Sequence, residues 1–221
     1  MNDEKLAGLK PGAPGEHPIL FSGEMVRAIW DGRKSQTRRA IKLPADTTDV
    51  MVDPGGTGVF GPGPYIKAAH IVDGEPLDYP RIRCPYGYPG DRLWVRETFA
   101  LGPKTKEQFE GVKYEKARGG VRPVFYRASG FQNPDQHKWT PSIFMFRRFS
   151  RITLEITAVR VERLQDISED DAKAEGCRPC PDCDDVIRYR HGYQQLWDKI
   201  NGQRCPWSKN PRVWRIEFKR L

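Results

Sequence analysis

Apolar and polar positions divide the chain into short strands, three helical segments and long turn-rich stretches. Pro18-Ile19-Leu20-Phe21 is an apolar run of strand length, and Ser22 follows it as a helix N-cap. Met25, Val26, Ile29 and Trp30 recur at helical spacing and Gly32 closes the run, which predicts an amphipathic helix over 23–31. The segment GRKSQTRR (32–39) leads into a strand through Arg39–Lys42. Cys84–Asp91 is a turn signal, and Arg92–Phe99 then alternates as a strand. Ile152, Leu154 and Ile156 alternate and Val159 and Val161 resume on the opposite phase, which predicts a long strand with a bulge near Ala158. Ser168 with Asp171 three residues on forms a capping box, and Gly176 ends that helix. A short helix over 192–200 and a closing strand over Val213–Lys219 complete the pattern, with Trp214, Ile216 and Phe218 on one face.

Other stretches lack such order. Residues 1–16 read as a loose tail, and 43–80 as an inserted loop or weak hairpins rich in Gly, Pro and Asp. Gly56, Gly58 and Gly61 match G-x-G-x-x-G, but Pro62 and Pro64 follow where a dinucleotide-binding helix would have to open. Residues 101–140 read as a second insertion, with a hairpin of Val112–Lys116 and Val121–Arg127 joined at Gly119-Gly120. Strands and helices do not alternate as in a doubly wound sheet, so the class is α+β and mainly β, a small barrel or sandwich. There is no internal repeat, and residues 17–221 read as one domain.

Lys plus Arg exceed Asp plus Glu by 37 to 29, and this excess favours a polyanionic partner. No apolar stretch reaches the ~18 residues of a membrane span, and the first residues lack the apolar core of a signal peptide, so the expectation is a cytoplasmic protein with no membrane partner.

The densest polar run is Gly32-Arg33-Lys34-Ser35-Gln36-Thr37-Arg38-Arg39. It is either a loop lining a pocket for an anionic or hydrogen-bonding ligand or a solvated basic turn. Arg147, Arg148 and Arg151, interleaved with Phe146 and Phe149, offer stacking and phosphate chemistry, or belong to core before a strand. Cys177-x-x-Cys180-x-x-Cys183 has thiolate spacing suited to structural zinc. Cys205 is the expected fourth ligand, with His191 or Cys84 behind it, and the zinc would staple a polar loop over 177–190. The other reading is free thiols; the odd total of five cysteines argues against a disulfide framework. His17, His70, His137 and His191 show no metal spacing, and no Walker loop, G-x-S-x-G or H-E-x-x-H is present. The helix dipole accounts for Asp170 and Asp171 better than acid–base work.

GRKSQTRR, CPYGYPGDRLWVRET, SRITLEITAVRVERLQDISEDDAKAEG, LWDKING and VWRIEFKR together resemble the ASCH family, in particular its phage- and prophage-encoded members. The resemblance implies a PUA-like mixed β-barrel with flanking short helices and loop insertions, recognition of RNA or modified nucleosides, and work in a bacterial host cytosol. The family motif G-x-K-x-x-E-x-R stands here as Gly32, Lys34, Thr37 and Arg39, with Thr in place of Glu. That substitution is similar to the bacterial N4-acetylcytidine amidohydrolases, and it implies a catalytic set of Lys34, Thr37 and Glu175. The expected pocket therefore holds these three with Gly32, Arg33 and Arg39, and with Trp94 or Glu97 near. Two other readings stay open: a non-catalytic module with Arg147, Arg148 and Arg151 on an open basic surface binding nucleic acid or protein, and a ribonuclease using the same cleft.

Overall fold

The computed structural model of the protein describes residues 14–43, 49–53, 65–72, 75–78, 82–102, 113–117, 120–130, 138–183 and 188–221. Its strands in chain order are β1 (Glu16–Leu20), β2 (Gln36–Ala40), β3 (Asp49–Asp53), β4 (Tyr65–Val72), β5 (Glu75–Asp78) and β6 (Ile82–Arg83). They continue with β7 (Arg92–Arg96), β8 (Phe99–Leu101), β9 (Lys113–Ala117), β10 (Gly120–Tyr126), β11 (Thr153–Arg163) and β12 (Arg212–Arg220). The helices are α1 (Gly23–Trp30), α2 (Glu169–Ala174) and α3 (Arg188–Asn201). The protein is mixed α+β and mainly strand. No helix among the described residues is long and apolar enough to cross a membrane.

The central sheet runs β1-β7-β11-β12-β2, with β1 parallel to β7 and the other pairs antiparallel. Its path has two ends, and no strand pairing among the described residues closes it into a barrel. Two smaller sheets, β8-β10-β9 and β3-β4-β5 with β6 on β4, occupy the two stretches read as insertions. The 120–126 strand pairs with 113–117 as the expected hairpin. Gly56, Gly58 and Gly61 lie outside the described residues.

Alternation in β12 has a direct physical consequence. Trp214, Ile216 and Phe218 enter one apolar core with Val26, Ile29 and Leu93, while Val213 enters a second with Tyr193, Trp197 and Trp207. The strand is thus covered on both faces, by α1 on one side and by α2 and α3 on the other. In β11 the pairing to β12 slips between Ile156 and Ala158, where the apolar phase inverts. The bulge keeps both Ile156 and Val159 buried.

Three boundaries depart from the sequence pattern, each for a non-local reason. Strand β2 starts at Gln36, before Arg39, because it pairs with β12 over Gln36–Ala40 and buries the polar side chains of Gln36, Thr37 and Arg38. Helix α3 starts a turn before residue 192, because the Glu169 carboxylate accepts the N–H groups of Tyr189 and Arg190 at 3.0 and 2.9 Å. Of the expected tail, residues 1–13 lie outside the described residues, but Glu16 opens β1. Gly15 is held there, its N–H donating to Asp91 Oδ1 at 2.7 Å and its carbonyl accepting from Arg92 at 2.8 Å.

Candidate active site

The 32–35 turn is built by α1 and held by the end of α2. Ser22 caps α1, its hydroxyl accepting from the Met25 N–H. At the other end Gly32 adopts φ 72°, and the N–H groups of Arg33 and Lys34 both return to the Ala28 carbonyl. Ser35 then donates its N–H to the Ala174 carbonyl at 2.9 Å, and Lys34 bridges to Glu175 as in an isolated antiparallel pair. Glu175 is the C-cap of α2, followed by Gly176 at φ 75°. A Cβ on Gly176 would stand 2.8 Å from the Ala28 Cβ and 2.9 Å from the Lys34 Cβ. Gly176→Ala is therefore expected to cost about 2–4 kcal/mol, combining left-handed strain with a clash between main-chain-proximal carbons. A urea melt checks it; a loss below ~1 kcal/mol would show that the turn has room to give.

The ammonium of Lys34 is fully buried and donates to three oxygens: Glu175 Oε2 at 2.9 Å, the Glu175 carbonyl at 2.7 Å and the Gln36 carbonyl at 2.8 Å. Burial pushes its pKa below the ordinary lysine value, and the Glu175 carboxylate only partly restores it. Beside it lies Arg38, whose side chain is wholly buried and meets Asp171 at 2.9 Å, Glu162 at 3.0 Å and Glu175 at 3.4 Å. Arg215 joins Glu162 and Asp171 from β12, each at 3.0 Å. Asp171 thus does more than complement a helix dipole. Burial raises its pKa, but Arg38 and Arg215 outweigh that and hold the carboxyl below the ordinary value.

Lys34, Thr37 and Glu175 line one cavity of about 40 Å³, together with Tyr193, Phe21 and Trp197. Thr37 and Tyr193 place two hydroxyl-bearing side chains in this wall, and both residues are less than 5% exposed. Hydroxyls in a cavity wall supply donors and acceptors that can orient a bound ligand. Burial, and then the nearby Glu175 carboxylate, push the Tyr193 phenol well above its ordinary pKa, so it is a proton-bearing donor at neutral pH. Arg39 also lines the cavity; it donates to the Leu20 carbonyl at 2.7 Å and lies over the Phe21 ring.

Several residues expected near this site lie elsewhere. Gly32 shapes the turn, and Arg33 is exposed and paired to Asp31 at 2.8 Å. Trp94 and Glu97 are not in the cavity wall: Trp94 stacks under Arg96, and buried Glu97 pairs with Arg151 through 2.8 and 3.0 Å contacts. Arg147 grips Glu16 at 2.8 and 3.1 Å, and Arg148 lies over the Phe146 and Phe149 rings. With Arg147 and Arg151 each committed to a carboxylate, these three arginines do not form an unpaired basic strip.

The cysteines also depart from a four-thiolate set. Cys180 and Cys183 are bonded to each other, a pairing that their 5.6 Å Cα separation permits. His191 Nδ1 lies 2.9 Å from Cys183 Sγ. Buried Cys177 donates its thiol to the Ala172 carbonyl, and burial pushes its pKa up to about 12. Cys205 packs against the tryptophan cluster beyond α3, its carbonyl taking the Trp197 indole N–H, and Cys84 lies in the main core. No group of three or more His, Cys, Asp or Glu among the described residues is arranged to hold a metal. These residues do not fit a tetrahedral zinc, which needs four free donors around one point.

Arg38 and Tyr193 are the site residues that sequence reasoning passed over. Arg38 stood inside the basic run without a sign distinguishing it from its neighbours, and Tyr193 stood on a helix as one more aromatic. No family model matches this chain, nor does any curated protein or solved structure.

Proposed function

We propose that this chain is a PUA-like domain of the ASCH kind that recognises a modified nucleobase in the Lys34 cavity and hydrolyses the amide of an N4-acylated cytosine there. One observation carries the reading. Lys34, Thr37 and Glu175, the set that the family resemblance implies, line a single cavity together with Tyr193.

The chemistry follows from these groups. Lys34, with its lowered pKa, passes a proton to Glu175 and as a neutral amine takes a proton from the attacking water. The hydroxide adds to the acyl carbon, and Thr37 and Tyr193 donate hydrogen bonds to the oxygen that becomes negative. Glu175 then returns its proton to the departing N4, the C–N bond breaks, and the products are the carboxylic acid and cytosine. All three ammonium protons are bonded to protein oxygens, so one of those bonds must be exchanged as ligand enters. Phe21 and Trp197 provide aromatic faces for the ring.

Incubating purified protein with N4-acetylcytidine and following release of cytidine tests the reading. Turnover that Thr37→Val lowers by at least ~100-fold, the range of a lost oxyanion donor, supports it; absence of turnover by the parent protein refutes the hydrolase.

Tyr193→Phe separates function from packing. The ring stays against Trp197 and Trp207 at its 6.3 Å centroid distances while the phenolic oxygen is removed. Stability is expected to hold within about 1 kcal/mol, since the ring packing is kept, while kcat falls about 10- to 100-fold. Unchanged kcat with unchanged stability would remove Tyr193 from the reaction.

A further inference from the structure

Beside the Lys34 cavity lies a larger one, of about 220 Å³, lined by residues of α1, α3 and the loop that follows Gly176. Met25 and Leu196 line both cavities and form the partition between them. The two cavities differ in chemistry. The smaller is closed in by aromatic rings, hydroxyls and a buried ion pair. The larger is lined by Arg178, Lys199 and Gln195, all three exposed.

Neither cavity alone reaches the ~300 Å³ at which small-molecule pockets begin, but together they come close to it. A buried aromatic end joined to an exposed cationic end is the layout that a nucleotide requires. The base needs stacking faces and fixed hydrogen-bond donors, whereas the phosphate needs cations it can reach without being stripped of water. The partition suits such opening, because a methionine thioether changes rotamer at low cost. The loop carrying Arg178 is firmly seated: Gly192 of α3 is pressed against the Arg178 carbonyl, and Cys180 donates its N–H to the Arg188 carbonyl at 2.8 Å. One anion shares the mouth. Glu24 pairs with Arg178 at 3.0 Å, with side chains 44% and 80% exposed, and a pair so open to water exchanges readily for a phosphate.

We propose that the larger cavity is a sugar–phosphate subsite, so that the ligand is a nucleotide, free or within a strand, and not a bare nucleoside. This inference rests on the base-binding reading of the Lys34 cavity. Titration calorimetry on the full chain tests it with three probes: N4-acetylcytidine, its 5′-monophosphate, and a five-nucleotide RNA carrying one N4-acetylcytidine. The monophosphate is expected to bind about tenfold tighter than the nucleoside, as one or two charge-assisted phosphate contacts provide. In Arg178→Gln/Lys199→Gln that ratio is expected to fall to within about twofold, because the remaining groups carry no positive charge. An RNA that binds tighter still identifies a strand as the source of the phosphate, and an RNA that binds no better identifies the free nucleotide; both uphold the subsite. Equal affinity for nucleoside and monophosphate, or a preference that survives the double substitution, overturns it while leaving the base-binding reading intact. If none of the three probes binds, the base-binding reading falls and takes the subsite with it.

Discussion

Lys34→Met is expected to abolish turnover of N4-acetylcytidine, by more than about 10³-fold, and to destabilise the fold by about 3 kcal/mol. The two effects have different origins, and a double substitution separates them. Lys34 is buried against Glu175 at 2.9 Å, so removing the ammonium leaves a carboxylate whose other partner is Arg38 at 3.4 Å. Glu175→Gln alone leaves the converse, a buried ammonium whose partner has lost its charge. Lys34→Met/Glu175→Gln removes both, and stability is expected to recover by at least ~1 kcal/mol relative to the sum of the single losses, as coupled neighbours do. Activity is not expected to recover, because neither the base nor the proton shuttle remains. Urea melts and a cytidine-release assay on the four proteins provide the cycle. Residual turnover above a tenth of the parent rate in Lys34→Met would exclude Lys34 from the chemistry and leave the ion pair as a structural clasp. In the parent protein, kcat/KM is expected to fall as pH rises through a midpoint below the ordinary lysine value of 10.5, because burial disfavours the ammonium and its titration removes the proton that the Lys34–Glu175 pair must deliver to the departing N4. That midpoint belongs to the coupled Lys34–Glu175 pair.

Arg38→Met is expected to cost about 3–5 kcal/mol, the range for breaking a buried charge cluster by removing its cation. The side chain is wholly buried, and three carboxylates from two elements converge on it: Glu162 of β11, Asp171 within α2 and Glu175 at the C-cap of α2. Methionine fills the stem volume, so the loss reports electrostatics and not a cavity. Glu162 and Asp171 keep Arg215, which limits the damage. A pH series adds an independent sign. Asp171 has its pKa lowered in the folded state, so it contributes stability that is present above the unfolded value of 3.8 and is lost as pH falls through the folded value. Without Arg38 that depression shrinks, and the loss of stability below about pH 4 becomes shallower. A variant as stable as the parent, with an unchanged acid limb, would show that the cluster does not hold α2 to the sheet.

Much of the fold was legible in the sequence because local periodicity reports burial. Helix α1 with its Ser22 cap, the Ser168–Gly176 helix, the β11 bulge and the buried face of β12 each follow from spacings of two or of three to four residues. Of the candidate site, Lys34, Thr37 and Glu175 were singled out through the family resemblance. What the sequence does not contain is the third dimension of polar burial. Whether Lys34, Arg38 or Arg151 is solvated or paired depends on partners far along the chain, such as Glu175 for Lys34, 141 residues away, and Glu97 for Arg151, 54 residues away. Tyr193 belongs to the cavity only because α3 crosses the end of α2, and α3 begins where it does because Glu169 caps it from a distance. Cysteine spacing showed that Cys180 and Cys183 could meet, but only packing decided that Cys177 turns inward to a backbone carbonyl and that Cys205 stays with the tryptophans. Sequence by itself determined the elements and the side chains available for chemistry. Tertiary structure decided which of those side chains are desolvated together, because Coulomb and hydrogen-bond energies are large only where packing from distant segments has removed the water.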